Sequence, residues 1–241
     1  MRGPPIYNLI PPIPSQDFDK LTLSNSDNLV KLDYIRHLKK LKILEMYNVE
    51  VEDLSPIKDF YDLEILKFNC TKVKDLEPLK NLTNLRELEF DSTRVTSLKP
   101  IENLEKLKRL HFIETPVDDL SPVQNLLKLS SLWCAGTKIS DLSPIAEKDL
   151  TELCFSNTVV TDLIPIATLN NLSWLMFTVS PGIDTDKLQT ILDILNTQND
   201  DISIFIDKEK YNDCSVSTNN IIEIKTTEKK PIHGLPEFKV L

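Results

Sequence analysis

The chemistry this chain can offer starts from a histidine set midway between an acid and an indole. Glu89, His111 and Trp133 follow one another at intervals of 22 residues. An imidazole near a carboxylate can do general acid–base work, because both groups exchange protons close to neutral pH. That work also requires a water-excluding pocket and a nucleophile held by the base. The face deduced below is open and shallow and supplies neither. His111 therefore reads as a binding contact that is sensitive to pH.

The remaining reactive residue types narrow the field further. Cys70, Cys134, Cys154 and Cys214 show no C-x-x-C spacing and read as reduced core or surface thiols, with no metal site. Glycine occurs only four times, and no Gly-rich loop exists to cradle a phosphate, so no cofactor is expected. The formal charge is −9, from 37 acidic and 28 basic residues, which argues against nucleic acid as a partner. It suits steering of a basic protein. No apolar run resembles a secretion signal or could span a bilayer, so no membrane is expected and the chain reads as cytoplasmic. The sequons at Asn69, Asn81 and Asn171 then read as accidental.

The elements that must position these residues come from a repeat. Prolines fall at 56, 78, 100, 122, 144 and 165, spaced by 22, 22, 22, 22 and 21, each two residues after a leucine. Between them the pattern is L-x-x-L-x-Φ, where Φ is apolar. It appears as Leu63-Leu66-Phe68, Leu85-Leu88-Phe90, Leu107-Leu110-Phe112, Leu129-Leu132-Cys134, Leu150-Leu153-Phe155 and Leu172-Leu175-Phe177, with an earlier copy at Leu41-Leu44-Met46.

Over about residues 38 to 181 this pattern resembles the leucine-rich repeat family, in particular the 22-residue class found in bacterial internalins. The resemblance implies an α/β fold: a right-handed, horseshoe-shaped solenoid with a parallel β-sheet on its concave side. Short helices or 3-10 turns line the convex side, and a small α/β cap closes the C-terminal end. The chain departs from the family after each strand, where Thr71, Thr93, Thr115, Thr137 and Thr158 replace the usual Asn. A hydroxyl can bond to turn backbone in its place, which predicts a ladder of buried threonines.

The spacing sets the physics of one unit. In L-x-Φ the two apolar side chains point to the same side of an extended strand, and the residue between them points away. The following segment starts a helical turn, with Ser55, Ser121 and Ser143 as expected caps and the next proline at the first turn position. No single unit can bury its leucines alone, so neighbours must stack. One unit is a residue short between Pro144 and Leu150, which predicts a local change of curvature on the convex side without loss of a strand.

The ends differ. Residues 1–20 read as a proline-rich arm, 21–42 as a degraded first repeat, 43–181 as the leucine-rich repeats, and 182–241 as the C-terminal cap. Within the cap, Leu188, Ile191, Leu192 and Leu195 keep helical spacing, and strands are expected at 202–206 and 221–224.

This phase turns three columns of side chains toward the concave surface. Trp133 and Trp174, with Ile113 and Met176, make an apolar area toward the C-terminal half. Lys67, Glu87, Glu89, Asp91 and Arg109 charge the other half, with Tyr47 at its edge and His111 between the two. Exposed apolar patches mark binding sites, and Trp is enriched among hot spots. The expected function is capture of another protein with a basic patch, by a chain that is monomeric by itself. An immunity protein that neutralises a toxin, or another intracellular inhibitor, fits best. A host-directed effector or an adhesin is the alternative. Enzymatic activity in residues 182–241, where Cys214 and His233 lie, is the reading from a different class; nothing orders those two as a nucleophile–base pair.

Overall fold

Each leucine of the repeat is an inward anchor, and the fold is what results when all are buried together. The computed structural model describes residues 19–26, 29–179, 182–198, 202–207 and 221–225. Nearly all of the proline-rich arm, together with Cys214 and His233, lies outside the described residues. The strands are β1 Lys20–Ser26, β2 Ile43–Val49, β3 Ile65–Asn69, β4 Glu87–Glu89, β5 Arg109–His111, β6 Ser131–Trp133, β7 Glu152–Cys154 and β8 Trp174–Thr178. An α-helix, α1 Thr185–Gln198, and strands β9 Ser203–Asp207 and β10 Ile221–Lys225 follow.

The ten strands of the described residues form one sheet in chain order. β1 to β9 run parallel, and β10 alone is antiparallel to its neighbour. Leu44, Leu66, Leu88, Leu110, Leu132, Leu153 and Leu175 stand in one register line and are fully buried. The chain is thus a leucine-rich repeat solenoid with its sheet on the concave side.

Behind the leucines runs a spine of aromatic rings. Phe68, Phe90 and Phe112 stack with centroids 5.5 and 5.7 Å apart, and Phe155 stacks on Phe177 at 5.2 Å. Cys134 occupies the gap between the two stacks and is wholly buried. Its thiol is pushed well above its ordinary range by that burial.

The threonine ladder forms as the hydroxyl argument predicts. Thr71, Thr93, Thr115, Thr137 and Thr158 are buried, and each donates to the carbonyl three residues back at 2.7 to 2.9 Å. Just before each threonine the backbone takes a left-handed turn, at Cys70 (φ 55°), Ser92 (φ 53°), Glu114 (φ 55°), Gly136 (φ 67°) and Asn157 (φ 53°). Only Gly136 escapes the steric penalty of that conformation.

The convex turns correct one expectation. They are 3-10 turns begun by a leucine with no side-chain cap, and the serines at 55, 121 and 143 do not act as caps. The residue two places earlier does: Asp53, Asp75, Asp119, Asp141 and Asp162 accept the amide at the turn start at 2.7 to 3.0 Å, and Ser97 does so at 3.2 Å. The Asp53 carboxyl is held below its usual range by the Ser55 hydroxyl and amide.

The short repeat keeps its strand, β7. The missing residue is absorbed on the convex side, where Lys148 stands in place of a core leucine and donates to the carbonyls of Gln124 and Leu126 at 3.0 and 3.2 Å.

Both ends build more sheet than their motifs suggest. The segment read as a degraded first repeat makes a seven-residue strand, with Leu21 and Leu23 packed on the core. The repeat motif stops before Gly182, but the sheet continues. α1 replaces a 3-10 turn, and β9 then pairs in parallel with β8, aligning Ile204 with Leu175 and Phe205 with Met176. Ile204 and Ile206 are fully buried.

Candidate functional site

The outward residues of successive strands meet in two lines that cross the sheet. The register places Glu45, Lys67, Glu89, His111, Trp133, Cys154, Met176 and Phe205 side by side in the central line. Ile65, Glu87, Arg109, Ser131, Glu152 and Trp174 form the line before it. Adjacent strands lie about 4.8 Å apart, so neighbours within a line are in direct side-chain reach.

The apolar part is a cluster of its own, separate from the core. Ala135, Cys154 and Met176 form a buried floor, and Ile113, Trp133, Trp174 and Phe205 are half-buried above it. The rings make a ladder. His111 lies 4.7 Å from Trp133 at 15°, Trp133 lies 5.1 Å from Trp174 at 13°, and Trp174 lies 5.7 Å from Phe205 at 41°. Both faces of the Trp133 indole are therefore occupied by other rings. Its Nε1–H is buried without a hydrogen-bond partner among the described residues.

Two residues expected on the binding surface are instead beneath it. His111 and Met176 are each only 6% exposed. His111 is covered because Trp133 lies flat on it; Met176 is covered because it sits between Cys154 and Phe205 on flanking strands. Phe205 is the residue that sequence reasoning left out. The alternation of Ile202, Ile204 and Ile206 inward would have turned it outward.

The charged half is knit by one lysine. Lys67 Nζ contacts Glu87 at 2.6 Å and Glu89 at 3.0 Å. Burial pushes Glu87 upward, yet the Lys67 ammonium, a hydrogen bond from the Glu89 carboxyl and the charge of Arg109 together hold it below its usual range. Glu89, more enclosed, is raised by burial despite the same ammonium. Asp91 has no cation within salt-bridge distance among the described residues; burial pushes it up to about 6, opposed by the Ile113 amide, which donates to Oδ1 at 2.7 Å. Asp91 therefore also finishes the end of the neighbouring strand. Arg109 is exposed, and Tyr47 is half-buried at the edge beside Asn69.

His111 is pinned on three sides. Its Nε2 lies 3.2 Å from Ser131 Oγ, its Nδ1 lies 3.5 Å from Glu89 Oε1, and Trp133 covers one face. Burial, aided by the charge of Arg109, pushes the imidazole down to about 4. It is neutral at physiological pH. Acid–base turnover is not what this geometry favours. The Ser131 hydroxyl is the group set against the ring, but it is 3% exposed and its proton is directed to Glu152 Oε2 at 2.8 Å and not to the imidazole.

Comparison with known proteins bears on the fold. No protein-family model matches the chain, and no curated protein matches it by sequence. Among solved structures it is similar to an internalin, InlF, from Listeria monocytogenes, at TM-score 0.59 and 24% identity over 81% of this chain and 64% of that one. It is similar to internalin C2 of the same species at TM-score 0.54 and 27% identity, over 64% of this chain and 78% of that one. A leucine-rich repeat protein of Leptospira interrogans matches at TM-score 0.53 and 17% identity, over 80% of this chain and 62% of that one. The chain thus spans less than two thirds of the length of the first and third.

Proposed function

We propose that this chain, a leucine-rich repeat protein built on the internalin-like 22-residue unit, holds a partner protein against its concave sheet. The Trp133–Trp174 stack is the apolar anchor, and Glu87, Glu89 and Asp91 meet a basic patch on the partner. One observation carries this reading: an apolar cluster lying outside the core, half open to solvent, on a face otherwise lined with charge. Solvated faces of monomers rarely keep such clusters without a use. Aromatic anchors ringed by polar groups are the usual make-up of binding hot spots.

Within that function, a non-enzymatic inhibitor acting in the cytoplasm as a monomer is the preferred setting, in the manner of an immunity protein against a toxin. The net charge of −9 suits a basic target. Likeness to the internalin fold favours the second setting, a host-directed effector or adhesin.

The test is affinity capture with the full chain, comparing wild type with Trp133→Ala and Trp174→Ala. Each substitution should cost about 2 kcal/mol, roughly a 30-fold loss of affinity. Full affinity in both variants would remove the concave anchor from the proposal. Recovery of a toxin domain would select the inhibitor, and recovery of a host protein the effector.

A further inference from the structure

A continuous line of polar contacts crosses the concave face beneath the aromatic ladder. Ser131 Oγ donates to Glu152 Oε2 at 2.8 Å. A hydroxyl has one proton to give, and this one is spent on the carboxylate. At its 3.2 Å contact with His111 Nε2, the Ser131 oxygen must therefore accept. This assigns the neutral imidazole its tautomer, with the proton on Nε2 and a bare lone pair on Nδ1. That lone pair faces Glu89 Oε1 across 3.5 Å, so two acceptors confront each other with no donor between them.

We propose that His111 Nδ1 and Glu89 Oε1 take up one proton in common on mild acidification, and that this proton sets the charge, and hence the grip, of the concave face. The proposal rests on the partner-binding reading above and adds its regulation. One proton turns a contact between acceptors into a hydrogen bond and cancels one carboxylate charge, leaving His111 stacked on Trp133. A face that attracts a basic partner at neutral pH then attracts it less in mild acid.

The surroundings favour that proton. Glu45 and Tyr47 on β2, Lys67 on β3, Glu87 and Asp91 flanking Glu89 along its own chain segment, Arg109 on β5, and Glu152 and Cys154 on β7 are the charged or titratable neighbours. Lys67 and Arg109 oppose uptake, while the carboxylates promote it. Lys67 is already bound closely to Glu87 at 2.6 Å, against 3.0 Å for Glu89. Enclosure raises Glu89, the hydrogen bond and charge of Glu87 raise it further, and enclosure lowers His111. A neutral Glu89–His111 pair is therefore preferred over a separated ion pair, with Glu87 the competing acceptor for the proton.

The test needs no partner. The ring nitrogens of His111 are followed by NMR from about pH 8 to about pH 5, beside the emission of Trp133 in a Trp174→Phe background. The expected result is the Nε2–H tautomer at the alkaline end. A single step should then move Nδ1 to its hydrogen-bonded position without forming imidazolium, and Trp133 emission should change at the same pH. Glu89→Gln should abolish the step, because its amide can donate to Nδ1 at every pH. An Nδ1–H tautomer at neutral pH would overturn the proposal. So would a step that survives in His111→Phe and vanishes in Glu87→Gln, since the proton would then belong to the carboxyl pair. Either failure leaves the capture experiment intact, and failure of capture leaves the titration intact.

Discussion

Trp133 and Trp174 stack 5.1 Å apart although β7 runs between their strands. Two strand spacings amount to about 9.6 Å. Trp133 stays one strand spacing, 4.7 Å, from His111, so it is Trp174 that leans over β7 to close the gap. The rings close above Cys154, which is 4% exposed and whose thiol burial pushes up to about 11.

Two indoles this close and nearly parallel share their electronic transitions. The wild-type circular dichroism spectrum should contain a coupled pair of bands of opposite sign from the indole absorption. Trp133→Phe or Trp174→Phe should each abolish the couplet while lowering stability by only about 1 kcal/mol, the usual worth of one aromatic pair beyond its area. Persistence of the couplet in either variant would mean that the rings are not stacked in solution.

The pH dependence of stability should divide between Asp91 and His111 with opposite signs. Asp91 is raised from 3.8 to about 6, so its contribution is present in full below 3.8 and is lost as pH rises through about 6. His111 is lowered from 6.5 to about 4, so its contribution is present above 6.5 and is lost as pH falls through about 4. Asn at 91 keeps the acceptor for the Ile113 amide without the buried charge. Asp91→Asn should therefore stabilise at about pH 8, by on the order of 1–2 kcal/mol after allowance for partial solvation, and not below pH 4. Thermal melts of both proteins across that range provide the check. An equal effect at both ends would refute the sign.

The threonine ladder offers a stability test away from the site. Thr115 donates to the Phe112 carbonyl at 2.7 Å from a site 3% exposed. Thr115→Val keeps the shape and removes the donor, and should cost about 1–2 kcal/mol in urea unfolding. Thr115→Ser should retain most of that. Equal losses in the two variants would point to packing of the methyl group instead of the hydrogen bond.

The register was legible because two periods coincide. The proline interval of 22 residues fixes where each unit starts, and the alternation within L-x-Φ decides which side each residue takes. Cover was less legible. The burial of His111 depends on an indole a full repeat away leaning over it, which no local pattern encodes. Phe205 is not marked by the repeat because its strand is reached through α1 and carries Ile204 and Ile206 in place of the leucine motif. The turn caps were misassigned for a different reason. Aspartate and serine both stand before Pro56, Pro122 and Pro144 in D-L-S-P, and both are capable caps. The 3-10 geometry starting at Leu54 decides for the aspartate two residues before the turn.

The reversed direction of β10 has a consequence for assembly. Units that add head to tail in one sense carry no intrinsic length, and an open parallel edge would template another chain just as it templates the next unit. β10 is antiparallel to β9, so a molecule added in the same sense would have to pair its first strand antiparallel to this edge, where the units from β1 to β9 pair in parallel. A neighbouring molecule's first strand would thus meet an edge of opposite direction at this end, and the parallel stacking by which the chain itself is built does not carry over from one molecule to the next.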